Sequence, residues 1–444
     1  MGKHEERYSE LHSFQDGEQI ASIARGKNKN AFTRVRKMPV RDIITSIMTR
    51  KGLTAAMEIR NFLKASGLEA ISKWAWLKAR LNLNPGVFSF MNDRYMKSFY
   101  ASVDEVRTWN GYIVLAIDGS RAEIPNSAEN RKTYGTMGND GESAPARCLI
   151  SGLFDVLNDF FIDLQICTVK KSEIQAAEEN VKALERIGMR QKALIIFDRG
   201  YPSLELLNYL EEHGIAYIIR ISSVMYLKER RAAEGADCKV ELEHTYRRMM
   251  RIKDNDEKRD EGEKRYEKIK AKGSTETRLV RDKTPSGEEF AVLTNLPDTI
   301  KGKEIVEAYF LRWKVEEAYN TLKNKMKFES ATGMASIYVE QDFLSQILVY
   351  NMMEDALHDA EEEIKKSPKK YKYPRRINQN MAIGIFKDFL IDLQMEEDGK
   401  VRQEKMKILQ SEIERYTLPV RKSKSKKRQF NSSNKYACNL KPSF

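Results

Sequence analysis

Cysteine is scarce and scattered. Cys148, Cys167, Cys238 and Cys438 lie far apart and form no CxxC pair, which excludes a disulfide framework or a thiolate zinc cluster and fits free thiols in a reducing cytoplasm. No apolar run approaches the ~18–20 residues needed to span a bilayer. The stretch from Met1 to Asp16 is mixed in charge and has no apolar h-region, so a secretory leader is not expected and a cytoplasmic location is. The five histidines, His4, His12, His213, His244 and His358, form no HxxH or HExxH pair, and there is no Gly-rich phosphate loop. Zinc-dependent and ATP-driven chemistry are disfavoured accordingly.

Charge is what the chain has in plenty. Its 444 residues carry 77 Lys+Arg against 65 Asp+Glu, a formal net charge of +12, with 41% apolar and 32% charged residues. That length suggests about two to four domains with ample material for a core, and disorder throughout is excluded. Residues 1–100 hold 18 basic and 9 acidic groups, residues 101–400 hold 47 and 53, and residues 401–444 hold 12 and 3. Basic ends thus flank a mildly acidic middle. Such ends suit a polyanion, with nucleic acid the first candidate and a membrane surface the second. The run Arg421-Lys422-Ser423-Lys424-Ser425-Lys426-Lys427-Arg428 reads as a solvated polyanion-binding arm.

Along the chain, residues 1–37 show no periodicity and read as a loosely packed lead-in. Apolar residues then recur at helical spacing from Val40 to Ala65, broken at Lys51-Gly52, and a second helix is predicted over Glu69–Leu83 with Lys73, Trp74, Trp76, Lys78 and Arg80. Short helices with outward Lys and Arg could form a helix-turn-helix reader or an ordinary basic bundle.

The period then changes. Tyr112–Ile117 is a buried strand ending in a turn at Asp118-Gly119-Ser120, and Cys148–Leu157 with Phe160–Val169 reads as a hairpin. A helix over Ser172–Ile187, a strand over Ala193–Phe197, a helix over Pro202–Glu212 and a strand over Ile215–Ile221 follow. This order predicts an α/β domain with a mixed sheet. After Ile221 comes a charge-rich, irregular insertion with strand-like pieces near Val224–Leu227, Thr277–Val280 and Phe290–Leu296. Helices resume at Lys303 and run through Phe328, followed by an apolar helix over Val339–Leu357, a linker near Ile364–Arg376 and a further helical pair. The apolar face Phe343–Leu357 suits either buried core or a dimer surface.

Three carboxylates stand out. Asp118 and Asp198 each follow a buried strand directly, where open α/β sheets collect ligands; Asp also simply favours turns. Two such aspartates in one sheet repel each other and are best explained by a shared divalent cation. On the helix Glu304–Phe328, Tyr309, Arg312, Glu316 and Lys323 fall in a stripe about 60° wide, opposite Leu311, Val315, Ala318 and Leu322. Periodicity alone would equally allow a solvated face of ordinary ion pairs.

The spacing Y(2)R(3)E(6)K of Tyr309, Arg312, Glu316 and Lys323 resembles the signature of bacterial insertion-sequence DDE transposases of the insertion-sequence-four type. Asp118-Gly119-Ser120 and Asp198-Arg199-Gly200-Tyr201 resemble that family's two aspartate segments, and Leu293-Thr294-Asn295-Leu296 its strand before the glutamate helix. The likeness covers about residues 70–355, with the segments in the family's order. It implies an RNase H-like catalytic core with a β-rich insertion before the glutamate helix, between helical N- and C-terminal regions. The corresponding division is 1–110 for the DNA-binding region, 111–221 for the first part of the core, 222–300 for the insertion, 301–360 for the glutamate helix and its successor, and 361–444 for the C-terminal region.

The resemblance further implies that Asp118, Asp198 and Glu316 hold two Mg²⁺ or Mn²⁺ ions per site, while Tyr309, Arg312, Lys323 and Arg199 bind DNA phosphates. The implied reaction is cleavage at transposon ends, through a hairpin, and strand transfer into target DNA. The implied partners are double-stranded DNA, as terminal inverted repeats and target, and a second copy of the chain. Some relatives hold an extruded base with a Trp of the insertion. Here Trp74, Trp76, Trp109 and Trp313 all lie outside 222–300, which leaves Tyr226, Tyr246 or another residue for that role. A metal-dependent nuclease without strand transfer and a catalytically silent DNA-binding derivative are the alternatives.

Overall fold

The opening segment is helical. In the computed structural model, which describes residues 3–15, 17–26, 28–34, 37–138, 144–254, 259–283, 287–366 and 371–420, α1 (Lys3–Gln15) and α2 (Glu18–Arg25) occupy the expected lead-in. Their pattern escaped a search for apolar periodicity because α1 buries ions: Arg7 donates to Asp355 at 2.5 and 2.7 Å, and His4 meets Asp359 at 2.5 Å. α3 (Val40–Met48), α4 (Ala55–Ser66), α5 (Lys73–Arg80) and α6 (Gly86–Ala101) follow. α5 starts later than predicted, where Ser72 accepts from the Ala75 amide, a cap that contributes about 1 kcal/mol.

β1 (Ile113–Glu123) is longer than predicted, so Asp118-Gly119-Ser120 lies inside the strand and is no turn. α7 (Ala128–Thr133), the hairpin β2 (Arg147–Asp155) and β3 (Phe160–Thr168), α8 (Glu173–Ile187), β4 (Ala193–Phe197), α9 (Leu204–Glu212) and β5 (Ala216–Ile221) come next. β4 is buried along its whole length, as a central parallel strand covered on both faces must be.

The insertion mixes helix and strand: α10 (Leu227–Ala232), β6 (Asp237–Glu243), α11 (Tyr246–Asp254), α12 (Arg259–Lys272), β7 (Ser274–Lys283) and β8 (Glu289–Thr294). No strand forms at Val224–Leu227, and the alternating charges expected to be irregular are largely helical. α12 is held against α9 by ion pairs, Lys268 to Glu212 at 2.7 Å and Lys272 to Glu211 at 3.1 Å, rather than by an apolar stripe.

The glutamate segment is not one uniform helix. α13 (Gly302–Tyr309) tightens into a 3₁₀ turn at Phe310–Arg312, continues as α14 (Trp313–Asn320) and widens into a π turn at Thr321–Lys325. α15 (Ser336–Lys366), β9 (Arg375–Ile377), α16 (Gln379–Met395), α17 (Gly399–Arg415) and β10 (Thr417–Pro419) end the described chain. The basic run Arg421–Arg428 lies outside the described residues.

These elements form two compact units, one of Met1–Ala101, Arg121–Cys148 and Tyr319–Phe444 and one of Ser102–Ser120 and Leu149–Ala318. The first is helical. α15 contacts α1, α3, α6, α16 and α17, and Phe343, Ile347, Leu348, Met352 and Leu357 are buried within it, so the face that suited a dimer surface is core. Arg80, expected outside, is fully buried on Asp342, Gln341 and Thr332. α4 and α5 keep Arg60, Lys64, Trp74 and Lys78 exposed.

The second unit is built on a mixed sheet of eight strands in the order β3-β2-β1-β4-β5-β8-β7-β6. β1, β4 and β5 are parallel, and β8, β7 and β6 continue the same sheet antiparallel. This is the predicted α/β class, with helices flanking a mixed sheet in the manner of an RNase H-like core. Among the described residues, no helix is long and apolar enough to cross a membrane.

Candidate active site

The site grows from the central parallel pair. Ala116 lies opposite Ile196, and continuing that register by two residues brings Asp118 level with Asp198, although 80 positions separate them in the chain. Asp198 stands one residue past β4, where strand pairing stops and a side chain is free to turn toward a ligand. Glu316 comes from α14, in the same unit.

Two contacts join that helical segment to the aspartates. The Tyr309 hydroxyl donates to Asp198 Oδ1 at 3.3 Å, and Arg312 Nη2 donates to Glu316 Oε1 at 2.7 Å. Tyr309 is 1% exposed and Arg312 4%, so both polar groups are committed to an interior position. Arg312 Nε is buried without a hydrogen-bond partner, a donor that an incoming anion could satisfy.

Electrostatics mark the same spot. Burial pushes the Asp118 carboxyl up to about 6; Arg312 opposes this, while Glu316, Asp198 and Glu173 add to it. Burial and the charge of Asp198 likewise raise the Tyr309 phenol. Burial acts to lower Arg312, but Glu316, Tyr309, Asp198 and Asp118 hold it above its ordinary value. A half-buried aspartate among like charges is a site short of cations.

Sequence reasoning missed Glu173, the first residue of α8. Its signal was ambiguous, since a glutamate after a capping serine is an ordinary helix start. Of the residues predicted to bind phosphate, Tyr309 and Arg312 join the carboxylates. Arg199 is exposed beside Asp198. Lys323 falls in the π turn, in the helical unit, where its ammonium bonds the Arg121 carbonyl at 2.5 Å and pairs with Glu329 at 3.4 Å.

Residues 109–352 match the family described as Transposase DDE domain. The chain belongs to that family. The DDE domain therefore spans β1 through the larger part of α15, taking in all three candidate carboxylates, and transposase chemistry on DNA phosphodiesters with divalent metal ions is the function class it brings. No curated protein sequence matches the chain. Among solved structures, the chain is similar to a piggyBac transposase in a synaptic complex with hairpin DNA, at 11% identity and a TM-score of 0.41, over 91% of this chain and 82% of that one.

The donor set suits a hard divalent cation, because the converging groups are carboxylates with neither thiol nor imidazole among them. The elevated Asp118 shows the same need for positive charge. Among the described residues, no three acidic, histidine or cysteine groups form a closed metal cage, and Glu316 is paired with Arg312 instead.

Proposed function

We propose that the chain is a cut-and-paste transposase of the insertion-sequence type, with Asp118, Asp198 and Glu316 as its catalytic triad and the ligands of two Mg²⁺ or Mn²⁺ ions. The observation that carries this reading is the convergence of those three carboxylates, from β1, the end of β4 and α14, in one unit. Bound there, the ions supply Lewis acidity that activates the attacking oxygen and neutralises charge on the leaving one.

The protein's own residues hold and orient the DNA. Arg312 is placed to meet a phosphate oxygen with the Nε that nothing else satisfies, and a phosphate drawn to its guanidinium would compete with Glu316 for it. Tyr309 keeps Asp198 in place through its hydroxyl and, being nearly buried, holds that carboxylate in one rotamer. Arg199 and Lys323 add charge along the DNA backbone, and the exposed Arg60, Lys64 and Lys78 with the basic tail supply sequence-independent attraction. Water attacks the phosphodiester at the element's end and releases a 3′-hydroxyl. That hydroxyl then attacks a target phosphodiester, forming one P–O bond as another breaks. The sequence likeness also supports a homodimer holding two ends and action on DNA in the cytoplasm.

The test is a cleavage and joining assay with Mg²⁺ or Mn²⁺ on DNA carrying the element's own terminal repeats. Wild type should cut and join, and Asp118→Asn should do neither. Equal products from both would overturn the triad, whereas nicking without joining would make the protein a nuclease.

A further inference from the structure

The carboxyl of Glu173 lies against the backbone of β1 beside Asp118, in space that only a glycine leaves open. A Cβ added at Gly119 would stand 2.9 Å from Glu173 Cδ and 3.2 Å from its Oε1. Gly119 has no left-handed backbone angle to account for it, so close approach of this side chain is what the position requires. α8 fixes the other end. Ser172 caps the helix by accepting from the Ile174 amide, and Glu173 opens its first turn, so the carboxylate projects from a rigid start rather than from a loop. Its charge is near enough to Asp118 to add to that group's burden, along with Asp198 and Glu316.

We propose that Glu173 is a fourth acidic member of the metal site, supplying negative charge from α8 that strengthens cation binding by Asp118. This rests on the triad proposed above. A glutamate pressed against β1 at such a point repels Asp118 until a cation lies between them, and the same repulsion becomes attraction for the ion. Gly119 has the complementary task of leaving room for it.

The test is Mn²⁺ binding to the full chain without DNA, followed by calorimetry or by the electron paramagnetic resonance of free Mn²⁺, with thermal unfolding recorded alongside. Glu173→Gln removes the charge, and Gly119→Ala keeps the charge but displaces it. Both should weaken Mn²⁺ binding by roughly tenfold or more, at an unfolding temperature close to wild type. Asp118→Asn should weaken it further. Unchanged Mn²⁺ affinity in a folded Glu173→Gln protein, with binding lost in Asp118→Asn, would overturn the role of Glu173 and leave the triad standing. Wild-type affinity in both Asp118→Asn and Glu173→Gln would overturn both.

Discussion

Asp342 in the helical unit and Glu178 in the sheet unit are both buried carboxylates in contact with arginine, yet they shift in opposite directions. Burial acts to raise Asp342, but Arg80 at 2.8 Å, Arg50 at 3.9 Å and the amide and hydroxyl of Thr332 at 2.6 and 2.7 Å hold it below the usual carboxylate range. Burial pushes Glu178 up to about 7, because its one partner, Arg265, is shared with Glu205. Two cations serve one anion in the first case, and one cation serves two anions in the second. The helical unit neutralises the charge it buries. The sheet unit leaves negative charge in surplus at Glu178 and Asp118 alike, which a scaffold would avoid and a cation-dependent site can use.

Neutralising a carboxylate should therefore have opposite consequences in the two units. The largest effect expected is on activity: Asp118→Asn should lower DNA cleavage by roughly a thousandfold or more while leaving metal-free stability unchanged or higher. Next is Asp342→Asn, which strands Arg80 and Arg50 in the interior and should cost about 3–5 kcal/mol in denaturant unfolding. If Asp118→Asn destabilised the chain as much as Asp342→Asn does, the contrast would fail.

A pH series sharpens it. The folded pKa of Glu178 lies above its unfolded value, so the stability it contributes is full below about 4.5 and is lost as pH rises through about 7. Glu178→Gln should match wild type near pH 4.5 and exceed it at pH 8 by about 2–3 kcal/mol. Asp342, with its depressed value, runs the other way and loses its contribution as pH falls. The smallest effect is steric. Gly52 has φ +87° and a Cβ there would meet Lys327 Cβ at 2.6 Å, so Gly52→Ala should cost about 1–3 kcal/mol by thermal unfolding, with no change in the pH profile.

Much of the sheet was legible because its strands are apolar throughout. Ala193–Phe197 is bounded as predicted, and the hairpin, α8 and α9 fall within a few residues of their predicted ends. β6 was not legible, since only Val240 and Leu242 of its seven residues are buried apolar groups. α1 and α12 were hidden for a related reason. Each is held by ion pairs whose partners lie far along the chain, and no local period records a partner 348 residues away. At the site, Asp118, Asp198 and Glu316 could be named from strand ends and helix spacing. Their neighbour Glu173 could not, because its meaning depends on a glycine in another element.

The link from Arg7 to Asp355, with His4 on Asp359 beside it, also bears on how the chain is made. The first helix to leave the ribosome is the last to find its seat, because the residues that neutralise it are synthesised about 350 positions later. At 5–20 residues per second, that interval is on the order of 20–70 s. Throughout it α1 is a short, polar, unpartnered peptide, too brief to hold its own turns in water, and the helical unit closes around it only when α15 arrives.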